Sequence, residues 1–419
     1  MNADNSKILV IGGGMSGLTA ALEAAESGAE VVIVEKEPYL GGRVAQLHRY
    51  FPKLCPPGCG LEIQFRRLRQ NPRLTFYTLA EVTQVSGGEG NYEVTVKLKP
   101  RYVNDRCTAC GACAEACPAE REDVFNYGLS KTKAAYLPYD MAFPYKYVID
   151  AEACRGDCGQ KCHAACVYGA IDLNMQPQSL TLKVGAIILA GGWDLYDATR
   201  IDNLGYGKVK NVITNMQMER LAASNGPTGG QILRPSDNQP PKKVAFVQCA
   251  GSRDENHLPY CSYICCMASL KQATYLREKD PEAEAHIFYI DLRTPGRYEQ
   301  FMWKVRDDEG VKLIRGKVAK VEQEAGTHNV VITAEDTAIG NKIKDTFDMV
   351  VLAVGMVPAT KAAPFALPLS YTPEGFVIPE LLPKGIYAVG SLKSPLDVTK
   401  SMQESTGAAL KSLISLSGR

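Results

Sequence analysis

Eight cysteines between Cys107 and Cys166 limit what the middle of this chain can become. CTACGACAEACP places Cys107, Cys110, Cys113 and Cys117 in the pattern C-x2-C-x2-C-x3-C-P, and CRGDCGQKCHAAC sets Cys154, Cys158, Cys162 and Cys166 at every fourth residue. Three thiolates at x2 spacing wrap one four-iron cluster, while a fourth, just before a proline, turns away to the other cluster of a pair. The expected wiring is Cys107, Cys110 and Cys113 with Cys166, and Cys154, Cys158 and Cys162 with Cys117. Zinc knuckles pair two separated C-x2-C hooks, and disulfide frameworks belong to short secreted chains. Neither suits three crowded thiols in a chain of 419 residues. Clusters are the expectation.

That length implies two or three domains, and 45% apolar residues fill ordinary cores. With 47 basic against 46 acidic residues the net charge is +1, so nothing calls for nucleic acid or for an anionic lipid surface. The longest apolar runs, Gly185–Ala190 and Met349–Val354, fall far short of the roughly 18 residues a bilayer span needs. MNADNSKILVIGGG enters a strand almost at once and shows no targeting segment. Fourteen cysteines in such a chain imply a reducing compartment. A cytoplasmic protein is expected, with membrane contact only through partner subunits.

Lys7–Val10 reads as a strand that runs into Gly12, Gly14 and Gly17, then an Ala-rich helix and a second strand, Glu30–Val34. G-x-G-x-x-G between strand and helix lets a backbone turn tightly and approach a pyrophosphate at the positive helix end. Glu35, about 20 residues on, is placed to accept from adenosine ribose hydroxyls. KEPYLGGRV then resembles the second glycine signature of FAD-binding two-dinucleotide-fold flavoproteins of the thioredoxin-reductase-like kind. LKVGAIILAGG and FDMVVLAVG resemble the two cofactor-turn strands of that family, and KGIYAVGS its final strand. The resemblance implies cofactor contacts at Lys36, Gly42, Arg43, Gly191, Gly192, Gly355, Gly390 and Ser391. Ser391 stands where that family has an aspartate, so the contact there carries no charge. DVTKSMQESTGAALKSLI reads as a closing helix aimed at the flavin.

VYGAI after Cys166 is similar to the exit of a bacterial ferredoxin that has lost its proline. An inserted ferredoxin-like α+β module is therefore expected over 100–177, within an FAD domain made of 1–99, 178–241 and 346–419. Its aromatic stretch, 121–150, is either core or a docking surface. Residues 242–345 occupy the place of an NAD(P)H domain, opening with the strand Lys243–Gln248. The turn that should be glycine-rich reads C-A-G-S-R-D instead, where Cys249 and Arg253 would crowd a pyrophosphate. Cys249, Cys261, Cys265 and Cys266 then predict either a cluster site in place of nicotinamide or a set of buried structural cysteines.

The glycine fingerprint, YFPKLCPPGCGLE, the cysteine module and CAGSRDENHLPYCSYICC together resemble the A subunit of heterodisulfide reductases, and more closely the A subunit of the quinone-interacting membrane-bound oxidoreductase (Qmo) complex. The resemblance implies FAD, three [4Fe-4S] clusters, a second flavin/iron–sulfur subunit plus a quinone-handling membrane subunit. It also implies electron exchange between the quinone pool and adenylylsulfate reductase in sulfate reduction, with splitting or joining of electron pairs at the FAD left open. Cys55 and Cys59 remain unassigned: a dithiol beside the flavin, a rigid loop, or ligands for a partner's group. No acid–base pair or nucleophile stands out, and His257 is the one histidine placed to tune a cluster. The rivals are a self-sufficient NAD(P)H-dependent oxidoreductase, a heterodisulfide-reductase-type subunit with another acceptor, and a scaffold whose cofactors are structural.

Overall fold

The computed structural model describes residues 7–154 and 158–417. The N-terminal expectation of no targeting segment thus falls largely on residues 1–6, outside the described residues. The chain divides into two units, 1–193 with 358–419, and 194–357.

In the first unit five strands lie in the order Ile386–Ala388, Ala186–Leu189, Lys7–Ile11, Glu30–Glu35, Leu74–Thr78, every neighbour parallel. Their unbroken apolar stretches, such as VVIV and AIIL, are what a sheet covered on both faces requires. On one face Ile8, Val10, Ile33 and Ile188 share a core with Leu18 and Ala25 of the helix Met15–Glu26 and with Ala408 and Ala409 of the closing helix Val398–Ser417. On the other, Leu9, Val32 and Ile187 pack with Val94, Val96 and Val184 of a three-stranded antiparallel sheet.

Two strands of that antiparallel sheet, Asn91–Leu98 and Gln178–Val184, pair so that Leu98 faces Gln178. The inserted module leaves and returns at one end of a single ladder, so closing its loop costs little more than a hairpin would. Buried Cys113, Cys117 and Cys162 form the module's core with Val103, Ala135, Ile149 and Ile171. Of its aromatic stretch, Phe125, Tyr139 and Phe143 are buried, Tyr127, Tyr136 and Tyr147 half-buried, and Tyr145 exposed. The buried three join the core of the parallel sheet: Phe143 stacks on Phe65 with centroids 4.8 Å apart, and the Tyr139 hydroxyl donates to the Leu40 carbonyl at 3.3 Å.

The second unit repeats the plan. Val212–Thr214, Met349–Val354, Lys243–Ala250, Glu284–Tyr289 and Val311–Arg315 form a parallel sheet in that order, beside an antiparallel sheet of Val318–Gln323, Val330–Asp336 and Asn341–Phe347. This corrects two expected domain boundaries. Residues 194–241 and 346–357 were expected in the FAD domain, but Val212 pairs with Val350 and Phe246 with Val351, placing both segments in the second unit. Apolar strands of the two units are interchangeable by composition, and only hydrogen-bond pairing assigns them.

Candidate functional site: a glycine cradle and three groups of thiols

At the glycine loop the missing side chains are required by space. A Cβ on Gly12 (φ +109°) would lie 2.3 Å from the Ala190 carbonyl oxygen, and one on Gly17 only 1.8 Å from the Gly12 carbonyl oxygen. Gly17 thus lets the helix close on the strand. Gly14 caps that helix without a side-chain hydrogen bond, and Gly42 (φ +55°) lies so close that its own Cβ would be 2.9 Å from the Gly14 Cα. The two glycine signatures, far apart in sequence, therefore make one bare backbone surface at a helix N-terminus, which fits a pyrophosphate.

Buried Glu35 accepts from the Gly13 N–H at 2.6 Å and the Glu37 N–H at 2.8 Å. Burial pushes its carboxyl up to about 7, against those two hydrogen bonds. Each oxygen keeps a second lone pair, enough for a ribose hydroxyl. Lys36 beside it is exposed. Arg43 turns toward the inserted module: its Nε donates to the Trp193 carbonyl at 3.2 Å and its Nη1 to the Tyr127 hydroxyl at 3.2 Å. Gly191 abuts Phe365, Gly192 (φ +70°) faces open space, and Gly390 (φ +67°) leaves room for the Ser16 hydroxyl, 2.4 Å from where its Cβ would be. Ser391 is buried. Sequence reasoning missed Glu404, whose carboxylate accepts from the Gly390 N–H at 3.1 Å and pairs with Lys393 at 3.0 Å. It brings an acid to the turn where Ser391 has none. Gly355 lies in the second unit, where a Cβ would be 2.6 Å from the Ser252 hydroxyl and 3.1 Å from that of Ser262.

In the module, the Tyr147 hydroxyl sits 3.6 Å from where a Gly111 Cβ would be, and Cys113, Cys110 and Cys107 are all close enough to act on it electrostatically. Cys117 and Cys154 lie within electrostatic reach of Cys162. Burial pushes the Cys113 thiol up to about 12 and raises Cys162. Two N–H groups are aimed at sulfur, from Ala109 to Cys107 Sγ at 3.4 Å and from Ala170 to Cys166 Sγ at 3.3 Å.

The second unit repeats the device. Tyr263 donates its N–H to Cys261 Sγ at 3.3 Å, and like Ala109 it stands two residues after the cysteine with a positive φ, +67° against +56°. Cys249 and Arg253 are also left-handed, both at +56°. Such strain costs of order 1–3 kcal/mol per residue and persists where surroundings enforce it. All four thiols, Cys249, Cys261, Cys265 and Cys266, line one small pocket, partly open to solvent. Its floor is a Ser252–Ser262 hydroxyl pair at 2.7 Å, with Ser262 also accepting from the Met356 N–H. Burial pushes Cys265 well up and Cys266 to about 11.

Among the described residues no three Cys, His, Asp or Glu side chains converge on a single metal ion. Thiolates that each hold a different iron of a cube stand further apart than that. His257 is engaged with the Tyr196 hydroxyl at 2.8 Å, outside the pocket lining. Half-buried Cys55 and exposed Cys59 flank the start of the helix Pro57–Gln70, whose Leu61 packs against Gly41.

Comparison with known proteins agrees with this geometry. A family described as FAD dependent oxidoreductase matches residues 7–51, and one described as 4Fe-4S binding domain matches 100–120. The chain is 42% identical over 423 residues to an iron-sulfur A subunit of CoB–CoM heterodisulfide reductase from Methanopyrus kandleri, covering 98% of this chain and 64% of that protein. It is 41% identical to the corresponding iron-sulfur A subunit from Methanocaldococcus jannaschii, covering 96% and 63%. This chain is a heterodisulfide-reductase-A-like flavoprotein. It spans less than two thirds of the length of these relatives. Thioredoxin reductase from T. acidophilum superposes with a TM-score of 0.52 at 13% identity, covering 98% of this chain and 99% of that one. Lactococcus lactis thioredoxin reductase gives 0.53 at 12%, covering 99% and 100%. The fold of this heterodisulfide-reductase-A-like chain is thus thioredoxin-reductase-like, with a ferredoxin-like module, and the matched families support FAD and iron–sulfur clusters as its cofactors.

Proposed function

We propose that this chain is the electron-transferring subunit of a multi-subunit oxidoreductase, holding FAD and three four-iron clusters and no nicotinamide. The observation that carries the proposal is the pocket lined by Cys249, Cys261, Cys265 and Cys266, where a thiol-lined loop stands between strand and helix in place of a glycine turn. Bound FAD exchanges electrons in pairs or singly, whereas clusters pass one at a time. The chain's own part is to hold and tune. Gly12, Gly14, Gly17 and Gly42 admit the pyrophosphate, and Glu35 takes the ribose. Gly191, Gly192, Gly390 and Ser391 line the remaining cradle.

Cys107, Cys110, Cys113 and Cys166 hold one cluster, and Cys154, Cys158, Cys162 and Cys117 the second. The N–H groups of Ala109, Ala170 and Tyr263 stabilise thiolate sulfur and shift cluster potentials.

The finer reading rests on the motif resemblance to the quinone-interacting complex. It places the chain beside a second flavin/iron–sulfur subunit plus a quinone-handling membrane subunit, passing electrons between the quinone pool and adenylylsulfate reductase. Among the described residues no helix is long and apolar enough to cross a membrane, so the reading assigns membrane contact to partners. The heterodisulfide of the named relatives is the second acceptor to test, favoured by the 42% identity.

Anaerobically prepared chain should carry about twelve irons per FAD, four for each cluster. Mixing it with NADH or NADPH should leave the flavin oxidised, and rapid stoichiometric bleaching would reject the proposal. Adding quinol, the partner subunits and adenylylsulfate reductase, or instead the heterodisulfide, separates the two acceptors by which one is reduced.

A further inference from the structure

The pocket of the second unit holds more than thiols. Arg253, Asp291 and Arg293 complete its lining. Arg253 forms an ion pair with Asp291, and the Arg293 Nε donates to the other Asp291 oxygen at 3.2 Å. Two guanidiniums on one carboxylate leave a surplus positive charge against the thiol wall. Arg253 lies within electrostatic reach of Cys249, and Arg293 within that of Cys261 and Cys266. The left-handed backbone at both Cys249 and Arg253 fixes that arrangement through the main chain.

We infer that Arg253 and Arg293, joined through Asp291, are positioning residues that raise the reduction potential of the cluster held by Cys249, Cys261, Cys265 and Cys266. The inference rests on the proposed third cluster. Reduction adds one electron to that cluster, breaks no bond and moves no proton; in the titration the electron comes from the reductant supplied. The added negative charge is stabilised by the two guanidiniums and opposed by the Asp291 carboxylate; Arg253 is the least exposed of the three and so the least screened, while Asp291 and Arg293 are about half exposed and act more weakly. The sign of each side chain's effect is therefore set by its charge. A merely structural role predicts no such pattern.

The test is an anaerobic EPR redox titration of the full chain, with iron and FAD measured in every sample. Arg253→Met should lower the reduced-to-oxidised ratio of the third cluster about tenfold at a fixed ambient potential, equal to about 59 mV for one electron. Arg293→Gln should shift it the same way and Asp291→Asn the opposite way, while Arg253→Lys should stay near the wild-type value. Should Arg253→Met lose its iron, Arg293→Gln and Asp291→Asn still carry the sign test. Shifts of one common sign, or none, at full iron content overturn the inference. Wild-type chain with only about eight irons per FAD and no third signal removes the cluster reading itself. That failure is told apart because it precedes any substitution.

Discussion

The two units are built alike and differ at the same place, the turn after the first strand of each nucleotide-type motif. In the first, the strand Lys7–Ile11 reaches the helix Met15–Glu26 through three residues, all glycine. In the second, Lys243–Ala250 reaches Cys265–Lys279 only after residues 251–264. The short glycine turn leaves bare N–H groups at a helix end, a surface for phosphate. The long turn carries Cys261 and the Arg253 charge back over Cys249 and the helix start, filling the same position with sulfur and guanidinium. A parallel sheet fixes where a ligand sits, at the carboxyl ends of its strands, and the turn decides which ligand that is.

Gly17→Ala should have the largest effect, because a methyl 1.8 Å from the Gly12 carbonyl must push the helix off the strand. FAD should be lost from the purified chain and stability should fall by roughly 3 kcal/mol or more, measured by flavin absorbance and thermal melting. Flavin retained at full occupancy would break the contrast at its first half.

Removal of thiols should leave the cradle alone. Cys261→Ser and Cys110→Ser should each remove about four irons and keep FAD bound. Gly355→Ala should behave like the first of these, lowering iron rather than flavin, since its methyl would strike Ser252 and Leu258. Loss of FAD from Gly355→Ala with iron intact would return that residue to the flavin.

The smallest effect is one of pH. In flavin-free chain Glu35 has its folded carboxyl raised to about 7 from an ordinary value of 4.5. The folded state therefore holds this proton more tightly than the unfolded one, and the associated stability is fully present below about 4.5 and lost as pH rises through about 7. The loss is at most roughly 3 kcal/mol. Melting temperature of flavin-free chain against pH should show that fall, and Glu35→Gln should flatten it; an unchanged profile in the variant would assign the slope to other groups.

Much of this contrast was legible without coordinates. The fingerprint, the strand ends and the cysteine spacings are local patterns, and a local pattern survives in one dimension: the strands expected at Lys7–Val10 and Glu30–Val34 each run one residue further, and the closing helix expected over 397–414 runs from Val398 to Ser417. The segments 194–241 and 346–357 were placed in the wrong unit because VVLAV and AIIL are equally good buried parallel strands. Glu404 was invisible for another reason. It sits on a helix among serines, and only the fold brings it to Gly390.

By itself the sequence determined the chemistry on offer: a bare backbone for phosphate, two cysteine runs of which the first has ferredoxin spacing, and thiols where a nicotinamide domain would carry its glycine turn. Those depend on residues near one another in the chain, where spacing is geometry. Tertiary structure alone decided that Cys249, Cys261, Cys265 and Cys266 share one pocket with Arg253, Asp291 and Arg293, and that the module's buried aromatics are seated in the core of the flavin-type sheet. Strand pairing and side-chain packing join residues from across the chain, and one-dimensional spacing carries no record of which strands will meet.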